Sequence, residues 1–64
     1  MKEYMKFLFL LKRGEICTES YLVRKSSVLA VQQALEDGML RKVDTTIDGE
    51  NRYMLTEKGA KARG

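Results

Sequence analysis

Apolar residues near the start of the chain fall at helical spacing. Tyr4, Phe7, Leu8 and Leu11 recur at i, i+3, i+4 and i+7, one face of an amphipathic helix predicted over residues 3–12. Lys12, Arg13 and Gly14 supply a cationic last turn and a glycine stop. At about 100° per residue, Met5 and Phe9 lie well away from that stripe. Together with Met1 they either cap the edge of the core or form a dimer interface. Glu15-Ile16-Cys17 suits a brief extended segment. Thr18 then caps a second short helix that has Glu19 in its first turn, Leu22 as its core residue, and Val23 or Tyr21 in support. Arg24-Lys25-Ser26-Ser27 is a polar break. Ser26 or Ser27 caps a third helix that runs to about Asp37 and stops at Gly38. Its buried stripe is read as Val28, Val31 and Leu35 with Ala34 beside them, which leaves Leu29, Ala30, Gln33, Glu36 and Asp37 on the opposite face.

Beyond Gly38 the period changes. Residues 39–47 contain Leu40, Val43, Thr45, Thr46 and Ile47, a β-leaning set whose imperfect alternation admits a bulge or a frayed start. Asp48-Gly49 predicts a hairpin turn built on positive φ angles. Asn51 to Leu55 returns as the second strand with Tyr53 and Leu55 on one face, and Thr56 caps a last helix from Glu57 to about Arg63, weakened by Gly59 within it.

A chain of 64 residues makes one domain, 1–64. A domain of this size buries only about 60% of the surface its unfolded chain exposes, so a homodimer is expected to add stability. One cysteine and no histidine leave no disulfide and no metal-ligand set, and no cofactor is expected. The lone cysteine fits a reducing, cytoplasmic setting. The apolar run from Phe7 to Leu11 is far short of the roughly 20 residues a membrane span needs. A net charge of +3 is compatible with an anionic partner such as nucleic acid.

The predicted order is helix, short strand, helix, turn, helix, glycine, hairpin, short helix. With Leu35-Glu36-Asp37-Gly38-Met39-Leu40 and the segment Asp48-Gly49-Glu50-Asn51-Arg52-Tyr53-Met54-Leu55-Thr56-Glu57-Lys58-Gly59, the chain resembles the winged helix-turn-helix domains of MarR-like and PadR-like regulators. The resemblance implies an α+β fold: a minimal winged helix-turn-helix of three helices, a β-hairpin wing and a short C-terminal helix. It also implies sequence-preferring binding to double-stranded DNA as a small transcriptional regulator. The helix at about 27–37 would enter the major groove and the hairpin 39–55 would serve as the wing.

On that reading Gln33 pairs with an adenine edge, while Leu29 and Ala30 meet a thymine methyl. Ser26 and Ser27 hold a phosphate at the helix N-terminus, and Arg24 and Lys25 make further phosphate contacts. Arg52 enters the minor groove or meets a phosphate. Lys58, Lys61 and Arg63 add positive charge. The presumed recognition helix carries no Arg or Lys, and Arg52 has Asp48 and Glu50 close by in sequence as alternative partners. A protein-binding module using the exposed Leu29–Gln33 face is the alternative. Catalysis is not expected: Cys17 has no evident base and reads as a small buried apolar residue, with redox sensing requiring an exposed, acidified thiol.

Overall fold

Four helices and a three-stranded antiparallel sheet make up the α+β domain in the computed structural model, which describes residues 2–63. In chain order these are α1 (Met5–Leu8), β1 (Ile16–Thr18), α2 (Glu19–Lys25), α3 (Val28–Glu36), β2 (Leu40–Thr45), β3 (Asn51–Leu55) and α4 (Glu57–Ala62). Met1, one of the three interface candidates, lies outside the described residues.

The first helix is shorter than the predicted 3–12 span. Past Leu8 the backbone tightens: Leu10 N–H bonds to the Phe7 carbonyl and Leu11 N–H to that of Leu8, both i to i+3 rather than i to i+4. The apolar stripe survives the change. Tyr4, Phe7, Leu8 and Leu11 are all buried, and Phe7, Leu8, Leu11 and Leu22 are the largest fully buried side chains. Burying a side chain the size of Phe7 or Leu22 contributes about 1.5–3 kcal/mol. The Arg63 guanidinium donates to the carbonyls of Leu8 and Leu11, so the end of the chain closes the turn that the helix left open.

Thr18 caps α2 by accepting from Tyr21 N–H at 3.3 Å. Ser27 caps α3 by accepting from Ala30 N–H at 3.1 Å. At the other end of α3, Met39 N–H bonds to the Ala34 carbonyl and Gly38 N–H to that of Leu35, with Gly38 at φ +77°; this is a Schellman termination. The buried face of α3 differs from the predicted one. Ala30, assigned to the outer face, is 0% exposed, and Val28, assigned to the core, is 52% exposed. Ala30, Val31 and Ala34 form the inner face, with Leu35 half-buried at its edge. Large side chains from α1 and α2 already fill the centre, so α3 turns toward it the methyl groups of Ala30 and Ala34, one turn apart.

The sheet has the order β1-β3-β2. Cys17, Leu40, Tyr53 and Leu55 are buried in the core beneath the helices. The register passes from Lys42↔Tyr53 to Asp44↔Arg52, so Val43 is the extra residue of a β-bulge, in line with the broken alternation of this strand. The hairpin closes by Thr46 N–H to the Glu50 carbonyl at 2.8 Å, around a three-residue loop Ile47-Asp48-Gly49. Asp48-Gly49 thus sits at the turn as predicted, and within this loop one left-handed residue, Gly49, suffices.

Beneath the hairpin, β3 and α4 lock onto the exit of α3. Thr56 N–H bonds to the Met39 carbonyl, and the Thr56 hydroxyl donates to the Gly38 carbonyl while accepting from Gly59 N–H. Gly59 is buried here, and a Cβ on it would lie 2.3 Å from the Met39 carbonyl oxygen and 2.8 Å from Leu55 Cδ1. Its place inside α4 therefore reflects a close approach of two backbones. Gly59→Ala in an exposed helix would stabilise by about 1 kcal/mol. Here the clash with backbone reverses the sign, and the variant is expected to lose about 1–3 kcal/mol in a urea melt.

A second tie joins α1 to the end of α3. The Tyr4 hydroxyl donates to Asp37 Oδ2 at 2.6 Å, with Lys2 Nζ 3.7 Å from the same oxygen. The hydrogen bond, then the Lys2 charge, holds the Asp37 carboxyl below its ordinary range, and the same bond followed by burial raises the Tyr4 phenol. The Asp37 contribution is full above a pH of about 3.9 and is lost as pH falls through its lowered folded value. The Tyr4 contribution is full below about pH 10 and is lost as pH rises through its raised folded value. The stability deficit of Tyr4→Phe against wild type should therefore be constant between about pH 5 and 9 and shrink at both extremes in pH-resolved denaturant melts.

Candidate nucleic-acid interface

The turn between α2 and α3 gathers most of the residues singled out in the sequence. Arg24 and Lys25 end α2, and both side chains are exposed. Neither takes part in an ion pair among the described residues; Lys25 instead sits over the Tyr21 ring, its Nζ 5.4 Å from the centroid. Ser26 and Ser27 follow, half-buried. Ser26 Oγ donates to the Glu3 carbonyl at 3.3 Å, and Ser27 Oγ is occupied as the helix cap. The backbone N–H groups of Val28 and Leu29, in the first turn of α3, have no intrahelical acceptor. Leu29 is 61% exposed beside Val28, and Gln33 is half-buried one turn further on.

The structure therefore brings Arg24, Lys25, Ser26, Ser27, Leu29 and Gln33 to one end of α3 and removes Ala30, which faces the core. It adds Val28, which the sequence reading had placed inside, and Gln32, which it had left at the border. Val28 is the first residue after the cap, where no preceding turn exists to cover it. That position was the available signal.

Arg52 is held elsewhere. Its Nε and Nη2 donate to Asp44 Oδ1 and Oδ2 at 2.6 and 2.5 Å, a bidentate ion pair on the hairpin. Neither Asp48 nor Glu50 is its partner. The bulge at Val43 sets Asp44 directly across from Arg52, while Glu50 turns to α2 and accepts from Ser20 N–H at 3.0 Å. That bond from Ser20, with a smaller contribution from the Arg24 charge, keeps the Glu50 carboxyl below its usual range. Glu19 Oε2 accepts from Asn51 Nδ2 at 3.0 Å and from the Tyr53 hydroxyl at 3.3 Å. A polar seam thus joins the base of the hairpin to the start of α2. The Arg63 guanidinium is engaged by backbone carbonyls, whereas Lys58 and Lys61 are exposed on α4.

Of the interface candidates, Met5 is half-buried against the core, and Phe9 is 58% exposed next to Leu10. Leu10 was missed because it lies off both helical faces; it is exposed by the tightened turn after Leu8. Cys17 is buried, with Sγ 3.5 Å from the Tyr53 carbonyl oxygen. Burial, aided by the Glu15 charge, pushes its thiol up to about 11. The exposed, acidified thiol that redox sensing requires is therefore not what this position provides. Among the described residues no helix is long and apolar enough to cross a membrane.

No protein-family profile, curated protein or solved structure matches the chain.

The state of Cys17 is directly measurable. At pH 7.5 the native protein should react with iodoacetamide at least about a hundredfold more slowly than the urea-unfolded chain, because the nucleophile is the thiolate and both burial and the raised pKa suppress it.

Proposed function

We propose that this chain is a minimal winged helix-turn-helix protein that binds duplex DNA with sequence preference, as a small transcriptional regulator. The observation that carries the reading is the free end of α3. Two exposed cations, Arg24 and Lys25, stand at its N-terminus outside any ion pair among the described residues, and the first turn of the helix presents N–H groups without an intrahelical acceptor beside them. A phosphate fits that chemistry. With α3 in a major groove, Leu29 and Val28 would meet thymine methyl groups and Gln32 or Gln33 an adenine edge. The hairpin, braced on α2 by Glu19 and Glu50, would lie alongside as the wing.

The reading is of a binding protein rather than an enzyme. Phe9 and Leu10, exposed together, support a homodimer, whose operator would hold half-sites about one DNA turn apart or a multiple of it. One observation favours the second reading, a protein-docking module: the outer face of α3 is led by Val28 and Leu29 and carries no Arg or Lys.

Fluorescence anisotropy on a random-sequence duplex across a salt series distinguishes the two. Neutralising two to four phosphates gives a slope of log affinity against log salt of about −2 to −4. Arg24→Ala and Lys25→Ala should each flatten it by about 1. A chain that shows no affinity for any duplex at low salt would be a docking module instead.

A further inference from the structure

The Asp44–Arg52 pair has a consequence for how the hairpin meets DNA. Guanidinium offers five donors in a planar fork, and Asp44 takes the Nε–Nη2 edge, leaving Nη1 directed elsewhere. The pair is partly exposed, at 38% and 44% of the two side chains, so both groups are reachable from solvent. The two charges cancel where a DNA-binding hairpin would ordinarily offer a net cation to phosphate. The other charges of the hairpin are mixed: Arg41 and Lys42 are exposed on β2, Asp48 is exposed at the tip and Glu50 stands at the base.

We propose that Asp44 is a specificity-determining residue, an electrostatic gate that cancels the charge of Arg52 so that Arg52 adds no sequence-independent affinity for duplex DNA. Arg52 then contributes only where a site draws it away from Asp44 or accepts the free Nη1 edge. Non-specific attraction rests on cations outside this pair, Arg24 and Lys25 foremost. This inference rests on the DNA-binding reading above.

The placement of Asp44 follows from the fold. Without the extra residue Val43, the strand register would set a different residue opposite Arg52. The bulge therefore assigns Arg52 its partner.

The test is the random-duplex salt series on four proteins: wild type, Asp44→Asn, Arg52→Ala and the double variant. Under the gate, Arg52→Ala leaves the Asp44 carboxylate uncompensated and weakens binding at low salt. Asp44→Asn frees one cation, steepens the slope by about 1 and tightens binding about tenfold at 50 mM salt. The double variant returns to wild type, which ties the gain to Arg52 and not to the removal of a carboxylate. Asp44→Ser supplies the uncharged arm should Asp44→Asn lose its fold by circular dichroism. Wild-type binding that Asp44→Asn leaves unchanged, or that the double variant weakens as far as Arg52→Ala does, overturns the gate while leaving the DNA reading intact. No duplex binding by any of the four overturns both.

Discussion

The approach of α4 to the start of β2 is the contact on which the rest of the domain depends. Gly59 lies so close to the Met39 carbonyl that no side chain fits between them, and Thr56 bonds to both Gly38 and Met39 on one side and to Gly59 on the other. One residue therefore ends β3, caps α4 and fixes where α3 hands the chain to the sheet. The direction in which α3 leaves its last turn, and so the direction in which its free N-terminus points, is set from this junction.

The core held by that junction is small, and its boundary is closed by polar ties rather than by more apolar surface. Tyr4 on Asp37 fastens the first helix to the end of the third. Arg63 closes the short α1 from the far end of the chain. Glu19 and Glu50 fasten the hairpin to α2. Each tie spans more than twenty residues of sequence, so each restrains elements that short loops alone would leave free to shift. Phe9, Leu10, Val28, Leu29 and Ile47 remain outside this frame, the last of them fully exposed at the hairpin tip.

These ties also decide which charges are left over. Arg13 faces Glu57, Arg52 faces Asp44, Lys2 approaches Asp37 and Lys6 pairs with Glu3. Cations outside ion pairs among the described residues lie at the end of α2, on β2 (Arg41, Lys42) and on α4 (Lys58, Lys61). Arg24 and Lys25, beside the free end of α3, belong to the remainder, and their position matters more for the proposed binding than the net charge does.

Features that depend on neighbours within a turn or two were legible in the order of residues. The stripe of Tyr4, Phe7, Leu8 and Leu11 is buried as its spacing requires, and Thr18, Ser27 and Thr56 cap the helices they precede. Gly38 ends α3, and the interrupted alternation around Val43 becomes a bulge. Those outcomes follow from local hydrogen-bonding geometry and side-chain periodicity, which the order of residues encodes directly. The winged helix-turn-helix assignment and the DNA reading go further than that and remain proposals. Long-range packing set which way α3 is rolled, and so that Ala30 is inside and Val28 outside. It also shortened α1 while keeping its buried face, matched Arg52 to Asp44 rather than to nearer acids, and required Gly59 to be bare. Each of these turns on which surface meets which across long stretches of chain. A helix with small residues on two sides is rolled by the volumes packed against it, and a guanidinium takes the carboxylate that strand register places opposite.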